Sequence, residues 1–310
     1  MSVSWLACSH ADDRRFSTSG YAGRVRDRAE IVQQLIAWFG VHARDLPWRH
    51  NDPWAVMVSE FMLQQTPVSR VLPLWQAWLE RWPTPAALAA EQSSEAVRAW
   101  GRLGYPRRAL RLHASATAIT ERHGGQVPDR LEELLALPGV GDYTAAAIAS
   151  FAFGAAVPVL DTNVRRVLTR LEVAEAVPAA SLTKAERARA QLYTDAAGQL
   201  APRWAAAVME FGALVCLARR PRCASCPVAH ACAWRAAGHP LPAAAARPQS
   251  WHGSDRQCRG ALLDVVRRSP GGVPTQLVLD SWHLRAQAEA CLAALEADGL
   301  VHQTADTVTL

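Results

Sequence analysis

Four cysteines that stand close together constrain this chain more than any other feature of its sequence. Cys216, Cys223, Cys226 and Cys232 follow the spacing C-x6-C-x2-C-x5-C. A structural zinc site usually has two close C-x-x-C pairs, or one such pair with two histidines, whereas this run has one close pair. Four thiolates around a single tight turn suit a 4Fe-4S cluster better. The spacing therefore predicts a 4Fe-4S cluster ligated by these four cysteines, with a zinc loop or a redox-active pair as the alternatives.

The other cysteines and the apolar residues indicate the compartment. Cys8, Cys258 and Cys291 are isolated and odd in number, so we do not expect a disulfide framework. No apolar run approaches the roughly 18 residues of a membrane span, and the first residues lack the apolar segment of a secretory signal. We therefore expect a soluble, monomeric protein of the reducing cytoplasm that has no membrane partner.

Basic residues are concentrated in two stretches that contain no acidic residue. The chain has 33 Lys and Arg against 28 Asp and Glu, a formal net charge of +5. The two acid-free stretches are 96–120, with Arg98, Arg102, Arg107, Arg108 and Arg111, and 211–254, with Arg219, Arg220, Arg222, Arg235 and Arg247. Stretches of one sign are typical of a surface that faces a polyanion, and a solvated helix face or loop is the alternative.

Helix start signals recur through the first half of the chain. Asp52, Thr66 and Thr84 each precede a proline, an arrangement that places an N-cap residue directly before the first helical position. The helices that these pairs predict lie near 53–65, 67–82 and 85–90.

Later signals extend the helical pattern. Pro106 begins a helix that ends at the glycines 124–125. Asp129 and Glu132 resemble a capping box that begins a short helix ending at Leu137. Alternating, strand-like stretches are almost absent before residue 270. We therefore predict an all-α body.

The two ends of the chain differ from this body. Residues 1–27 are polar and aperiodic, and we expect them to be disordered, whereas residues 236–250 include an Ala-Pro-rich stretch that indicates a linker. The C-terminal module, residues 251–310, has predicted helices at 257–268 and 286–297 and a hairpin of 300–302 with 307–310. This order predicts a winged-helix-like module, and a simple helical cap on the body is the alternative.

A glycine-containing turn joins two of the predicted helices. Residues 137–141 (LPGVG) connect the short helix to an Ala-rich helix over 143–153. The turn exposes backbone N–H groups at a helix N-terminus, a geometry that suits a phosphate. The bare pattern is only a tight turn, but its length and its proline match the helix-hairpin-helix DNA motif. We therefore expect Gly139, Val140 and Gly141 to contact DNA through their backbone.

Two carboxylates have unusual surroundings in the sequence. Glu60 is the only ionisable residue in an apolar helix, so we expect a raised pKa, which a general acid near neutral pH requires. Asp161 closes an apolar run at a helix N-terminus, where amides and the helix dipole favour its ionised form. A partly exposed structural Glu and an ordinary N-cap are the alternatives. Together the pair suggests cleavage of an N-glycosidic bond, which needs one acid for the leaving group and one carboxylate for the cationic sugar.

The hairpin, the downstream Asp161 and the cysteine run occur in the order and spacing of the helix-hairpin-helix DNA glycosylase superfamily, which includes endonuclease III. The resemblance covers about residues 28–235. Four segments are similar to the MutY family of adenine DNA glycosylases, namely LPWR at 46–49, SEFMLQQT at 59–66, LGY at 103–105 and MEFGALVC at 209–216. The implied fold is all-α and two-lobed, with a six-helix domain over 51–161 and an iron-sulfur cluster domain over 28–50 and 162–235.

The resemblance also implies roles for individual residues. Glu60 would protonate adenine as the leaving group, while Asp161 would stabilise the sugar cation or form a transient covalent adduct with it. Asn163 and Tyr143 would orient these groups and the attacking water. The pocket for the extruded adenine would be lined by Trp48 and Arg49. The residues that contact DNA, besides the hairpin, would be Gln64, Gln65, Tyr105, Arg219 and Arg220.

These roles predict an enzyme of base excision repair. It would be a monofunctional glycosylase that flips out adenine opposite 8-oxoguanine or guanine in double-stranded DNA, and it would be associated with the nucleoid in a bacterium. Tyr143 stands where endonuclease III relatives carry a Schiff-base lysine, so we expect hydrolysis without strong strand nicking. The alternatives are a T/G or U/G mismatch glycosylase, an endonuclease III-like enzyme, and a non-enzymatic DNA-binding protein that contains a cluster.

Three features depart from the pattern of the family. Thr162 stands where the family often has glycine, and Ala206 lies in a segment that is more polar in relatives. Residues 249–310 are too short and too helical for the Nudix-like domain that reads 8-oxoguanine in many family members. The sequence therefore does not identify the part of this chain that would read 8-oxoguanine.

Overall fold

The protein is mostly helical. A computed structural model describes residues 27–50, 52–241 and 251–310. The helices are α1 (Arg28–His42), α2 (Pro53–Leu63), α3 (Val68–Arg81), α4 (Pro85–Ala89), α5 (Ser93–Trp100), α6 (Arg107–Arg122), α7 (Leu131–Leu135), α8 (Asp142–Phe153), α9 (Thr162–Glu172), α10 (Lys184–Ala197), α11 (Ala201–Leu214), α12 (Ala233–Ala236), α13 (Asp255–Arg267), α14 (Thr275–Asp280) and α15 (Arg285–Ala297). The strands are β1 (Val273–Pro274), β2 (His302–Gln303) and β3 (Thr307–Thr309). The prediction of an all-α body is confirmed, because the described residues before 270 contain no strand.

Two expectations fall largely on parts of the chain that the structure does not describe. The predicted disorder of 1–27 concerns residues 1–26, and most of the predicted linker, residues 242–250, is likewise outside the described residues. Among the helices that are described, none is both long enough and apolar enough to cross a membrane.

Buried apolar side chains form two main cores. The first contains side chains of α2 to α8, including a tryptophan group in which the rings of Trp78 and Trp82 lie 4.6 Å apart at 69°. The second contains side chains of α1 and of α9 to α11, including Tyr193 and Trp204, whose rings stack at 5.3 Å. This arrangement agrees with the two-lobed fold class, while the exact domain boundaries remain a prediction.

The start signals of the helices were read correctly in part. Asp52 and Thr84 are the N-caps of α2 and α4, and each side chain accepts a backbone N–H bond. Thr66 is not an N-cap, because α3 begins one residue later with Pro67 in that position and no side-chain cap. The capping box expected at Asp129 is wrong too, since α7 follows Arg130 without a side-chain cap bond. A sequence pattern that permits an N-cap does not determine the residue at which the helix begins.

The C-terminal module has the element order of a winged helix. Helix α13 is followed by β1, then α14 and α15, and finally the hairpin of β2 and β3. The three strands form one antiparallel sheet in the order β1-β3-β2, with Val273 paired to Val308. Buried side chains of the module, among them Leu262 and Leu292, belong to the first core. The module is therefore packed against the helical body.

Most arginines of the stretch 96–120 have partners inside the protein, so part of the positive charge that the sequence shows there is neutralised, and a surface that faces a polyanion remains a prediction for this stretch. Arg102 pairs with Asp264 at 2.7 Å, and Arg107 pairs with Asp298 at 3.1 Å. Arg98 donates to the backbone oxygen of Arg267. Arg108 is buried, and its guanidinium donates to four backbone oxygens. The acidic partners lie more than a hundred residues away in sequence, so the local absence of acids was misleading.

Candidate active site

An open cleft of about 770 Å³ lies between the two cores. Its volume is within the range of small-molecule sites in proteins. The residues with predicted catalytic or pocket roles that line it are Glu60, Tyr143, Asp161, Asn163, Trp48 and Arg49. They come from α2, α8, the start of α9 and the segment after α1, so folding brings together groups that are far apart in sequence.

Glu60 has the environment of a carboxylic acid with a raised pKa. It lies on α2, only 4% exposed, within a helix whose other residues from Trp54 to Met62 are also buried. Burial raises the pKa of Glu60 to about 7, against the opposing effect of a hydrogen bond from Tyr143, and nearby Asp161 raises it further. The Tyr143 hydroxyl donates to Oε2 of Glu60 at 2.9 Å. A group with this pKa is protonated to a substantial extent at neutral pH.

Asp161 is the N-cap of α9. Its Oδ1 accepts the backbone N–H of Val164 at 2.6 Å, and its Oδ2 accepts from Nδ2 of Asn163 at 2.6 Å. The N-cap placement was expected, but the electrostatics differ from the expectation. Burial raises the pKa of Asp161, and the bonds from Val164 and Asn163 oppose this shift without cancelling it. Glu60 and Asp161 are therefore both desolvated.

Arg166 is a residue of the site to which the sequence assigned no role. From α9 its Nη2 donates to Oδ1 of Asn163 at 2.8 Å and to the Gly212 oxygen at 2.7 Å. Its Nε donates to the backbone oxygen of Cys216 at 2.8 Å. Arg166 thus joins the Asp161–Asn163 pair to the first cysteine of the run. The available signal was its position three residues after Asn163, on the same helix face.

Glu210 is a second buried Glu beside the cleft, and its role was also missed. Arg44 contacts it through Nε and Nη2, each at 2.7 Å, and Nη2 of Arg49 lies 3.0 Å from Oε2. Burial would raise the pKa of Glu210, but the hydrogen bonds from Arg44 outweigh it and the pKa is lowered. Glu210 and Glu60 therefore have opposite environments in one cleft, and only Glu60 is suited to donate a proton.

The residues expected to line a base pocket are held firmly. Trp48 is 6% exposed, and its ring packs edge-on against Trp75 at 5.7 Å. Arg49 lies over the Phe39 ring at 5.0 Å, in addition to its pairing with Glu210. Ala206 lines the same cleft with a methyl group, in agreement with the expectation that it makes no side-chain hydrogen bond there.

The two turns that carry the residues expected to enter the DNA duplex lie together. Gln65 and Tyr105 are exposed non-glycine residues with left-handed backbone conformations, φ +55° and +48°. Buried Arg108 joins their two turns, because Nη1 donates to the Gln64 oxygen at 2.7 Å and Nη2 donates to the Gly104 oxygen at 2.9 Å. The side chain of Gln64 faces α8, where Nε2 donates to Thr144 at 3.3 Å.

The hairpin between α7 and α8 has the expected glycines in the expected places. Gly139 has a left-handed φ of +79°, and a Cβ there would lie 2.6 Å from Cβ of Arg111, so glycine is required. Val140 is buried, and its N–H donates to the Leu137 oxygen, so its amide is used inside the turn. Gly139 and Gly141 are exposed, and their amides have no acceptor among the described residues.

The four cysteines surround one small cavity. Cys216, Cys223, Cys226 and Cys232 line it together with apolar side chains and three arginines, Arg170, Arg222 and Arg235, and none of these cysteines is in a disulfide. Within the described ranges, no three His, Cys, Asp or Glu side chains are grouped as they would be around a single metal ion. Arg170 holds the loop through its Nη1, which donates to the Leu217 oxygen at 2.7 Å. Arg219 and Arg220 extend from this loop and are exposed.

Comparisons with known proteins agree with this geometry. The family model described as "HhH-GPD superfamily base excision DNA repair protein" matches residues 58–192. An adenine DNA glycosylase of Mycolicibacterium smegmatis is 51% identical over 277 residues, which are 88% of this chain and 93% of that protein. The adenine DNA glycosylase of Homo sapiens is 41% identical over 221 residues, which are 67% of this chain and 40% of the human protein. The structure of a thermostable thymine-DNA glycosylase aligns with a TM-score of 0.61 at 26% identity, covering 68% of this chain and 97% of that one.

Proposed function

Because this chain belongs to the adenine DNA glycosylase family, within the HhH-GPD superfamily of base excision DNA repair proteins, we propose that it releases adenine from double-stranded DNA by hydrolysing the N-glycosidic bond. Its substrate would be adenine opposite 8-oxoguanine or guanine. The observation that carries this proposal is the presence in one cleft of two desolvated carboxylates, buried Glu60 with a pKa raised to about 7 and half-buried Asp161. An acid and a second carboxylate are the two groups that glycosidic cleavage needs.

Glu60 is the general acid of the proposed reaction. The Tyr143 hydroxyl occupies Oε2 of Glu60, so the proton to be donated sits on Oε1. Burial also raises the pKa of Tyr143 well above its usual value, so the phenol remains a donor. Protonation of the adenine ring makes it a better leaving group, because the ring that takes the electron pair of the breaking bond then departs as neutral adenine rather than as an anion.

Asp161 stabilises the cationic sugar that bond breaking leaves behind. The carboxylate is fixed by the Val164 amide and by Asn163, which is itself held by Arg166. A charge fixed before the reaction stabilises the transition state without reorganisation. Water then adds to the anomeric carbon and gives its proton to the carboxylate that Glu60 became on protonating adenine, which completes the hydrolysis and restores the acid. Tyr143, in the position of the lysine of lyases, offers no amine for a Schiff base.

DNA would bind along the exposed backbone and basic groups at the edge of the cleft. The free amides of Gly139 and Gly141 suit a phosphate, and the exposed Arg219 and Arg220 of the cysteine loop add positive charge. Gln65 and Tyr105 would enter the duplex while the adenine is extruded. We propose that the protein acts as a monomer in the cytoplasm, on the nucleoid if the cell is bacterial.

We also propose that the four cysteines hold a 4Fe-4S cluster. They fit it, because four soft thiol ligands converge on one cavity. Cys216, Cys223, Cys226 and Cys232 would be the ligands. When bound, the cluster would cross-link the loop that carries Arg219 and Arg220, and the proton transfers would be left to the carboxylates.

Replacing Cys226 with serine is expected to remove this cluster. We expect the purified variant to lose the iron and the broad visible absorbance of the wild-type protein, and to bind duplex DNA more weakly because its basic loop is no longer fixed. Iron analysis and an absorbance spectrum measure the first effect, and a DNA titration measures the second. Cys258→Ser, in a buried cysteine of the C-terminal module, is the matched control. Zinc without iron in the wild-type protein would contradict the cluster assignment.

A glycosylase assay on four otherwise identical duplexes tests the substrate. The duplexes carry A opposite 8-oxoguanine, A opposite G, T opposite G, and U opposite G. We expect adenine release from the first two, fastest from the first, and little release of T or U. The similarity to a thymine-DNA glycosylase makes T opposite G the informative competitor. Preferential release of thymine or uracil would replace the proposed substrate with that of a mismatch glycosylase.

A further inference from the structure

The loop that carries Tyr105, here called the wedge loop and defined as residues 101–107, has a backbone that needs external support. Tyr105 has φ +48°, a left-handed conformation that is unfavourable for a bulky residue, and Gly104 before it has φ +85°. The Tyr105 side chain is 45% exposed, so its own packing provides limited support. Such a conformation persists only when surrounding groups hold it.

The C-terminal module holds the wedge loop from both sides. Arg102, near its start, pairs through Nη2 with Oδ2 of Asp264 on α13 at 2.7 Å. Arg107, at its end, pairs through Nη1 with Oδ1 of Asp298, directly after α15, at 3.1 Å. Asp298 also accepts from Arg259 of α13, which fixes it within the module. Helix α13 and the residue that follows α15 therefore contact the two ends of the wedge loop.

The middle of the wedge loop is also contacted by the module. The guanidinium of Arg256, on α13, lies 5.7 Å from the centre of the Tyr105 ring, and that of Arg108 lies 5.6 Å from it. Both distances are within the range of a cation–π contact. Arg256 is exposed and has no carboxylate partner in the described part of the chain. Its guanidinium is thus available to the ring.

The module is itself fixed to the helical body, so its contacts can hold the wedge loop in a defined position relative to that body. The Arg267 Nε donates to the Val97 oxygen at 3.0 Å, and Arg98 donates to the Arg267 oxygen. Buried residues of the module share the first hydrophobic core with α5 and α6. Packed interiors of this kind resist deformation and keep attached loops in place.

We infer that the C-terminal module positions the wedge loop, and that Arg256, Asp264 and Asp298 thereby determine how strongly the enzyme discriminates the base opposite the excised adenine. The specificity part rests on the proposed function, since the entry of Tyr105 into DNA belongs to it. A loop that is already ordered loses less conformational entropy when it enters the duplex. Misplacement of a positioned group by about 1 Å is enough to lower a rate substantially.

Hydrogen exchange on the full-length protein tests the support of the loop without relying on activity. The variants are Arg107→Ala, Asp298→Asn and the double variant. Arg285→Ala is the control, because the pairs of Arg285 among the described residues are with Asp280 and Glu289 of the same module. A surface ion pair is worth roughly twofold to fivefold in an equilibrium, so we expect amide exchange in 101–107 to accelerate by about that factor. The double variant should match Asp298→Asn, because Arg107 has lost this carboxylate partner once Asp298 is replaced. Unchanged exchange in the three variants would overturn the inference.

The specificity part is measured as the ratio of single-turnover rates for A opposite 8-oxoguanine and A opposite G. We expect Arg256→Ala to lower this ratio by about threefold to tenfold, with Arg256→Lys restoring part of it, while Arg285→Ala leaves it unchanged. A fluorescent base analogue beside the lesion should report reduced entry of Tyr105. An unchanged ratio and an unchanged signal in Arg256→Ala would overturn the specificity role. If the wild-type protein released no adenine, the proposed function would fail, whereas hydrogen exchange would still decide whether the module holds the loop.

Discussion

Replacement of Glu60 with glutamine is expected to lower the single-turnover rate of adenine release by roughly 10²-fold to 10⁴-fold, the contribution of one general acid. Glutamine keeps the size of the side chain, and its amide oxygen can still accept the hydrogen bond that Tyr143 donates to Oε2 of Glu60 in the wild-type protein. The cleft should therefore be preserved. What the variant lacks is a transferable proton. Rates near those of the wild-type protein would remove Glu60 from the mechanism.

The same variant has an expected effect on stability that separates loss of chemistry from loss of folding. The pKa of Glu60 is raised from 4.5 to about 7, so the folded state favours its neutral form. Glu60 therefore lowers the free energy of unfolding progressively as pH rises from about 4.5 through about 7. Glutamine cannot ionise, so at pH 8 the variant should be more stable than wild type, by an amount on the order of 3 kcal/mol. Thermal unfolding at pH 8 and at pH 4 measures the difference, which should vanish at the lower pH.

Replacement of Asp161 with asparagine is also expected to lower the rate of adenine release strongly. Asparagine is a good N-cap, so α9 should keep its start through the bond to the Val164 amide. The charge that stabilises the sugar cation is lost, and we expect adenine release to fall by roughly 10²-fold to 10³-fold, as for removal of one preorganised electrostatic group. Single-turnover assays at saturating protein measure this, with DNA binding measured in parallel and expected to be retained.

A matched control for this substitution exists in the same fold. Asp52 is also an N-cap aspartate, at the start of α2, and it does not line the cleft. Asp52→Asn makes the same chemical change at a similar helix position, and its adenine release should stay close to that of the wild-type protein. An Asp161→Asn variant as active as Asp52→Asn would show that the Asp161 charge does not take part in the reaction.

The parts of the site that could be predicted from the sequence are those whose structure depends on residues close together in the chain. Glu60 lies alone among apolar residues on one helix, so its burial and raised pKa follow from a single segment. Asp161 precedes a helix, and its role as N-cap also follows from neighbouring residues. The proline-preceded helix starts at Asp52 and Thr84 are local in the same sense. Helix geometry and capping act within a few residues, which a sequence displays directly.

The parts that were missed depend on contacts between distant segments. Asp264 and Asp298 of the C-terminal module pair with Arg102 and Arg107, so the stretch 96–120 has less free positive charge than its local sequence indicates. The raised pKa of Asp161 depends on how deeply the two lobes bury it. Glu210 is held ionised by Arg44, which follows α1 and is distant from Glu210 in sequence. Charge patterns along a chain do not show which charges become paired when it folds.

The most direct test of the account is the pH dependence of adenine release, measured as free adenine under single-turnover conditions for the wild-type protein and Glu60→Gln. The duplex carries A opposite 8-oxoguanine, and the series runs from about pH 5 to about pH 9. The account predicts that the wild-type rate falls as pH rises through about 7, where Glu60 loses its proton, and that the variant is slow throughout. A wild-type rate that stays constant through this range, with comparable release by Glu60→Gln, would contradict the account.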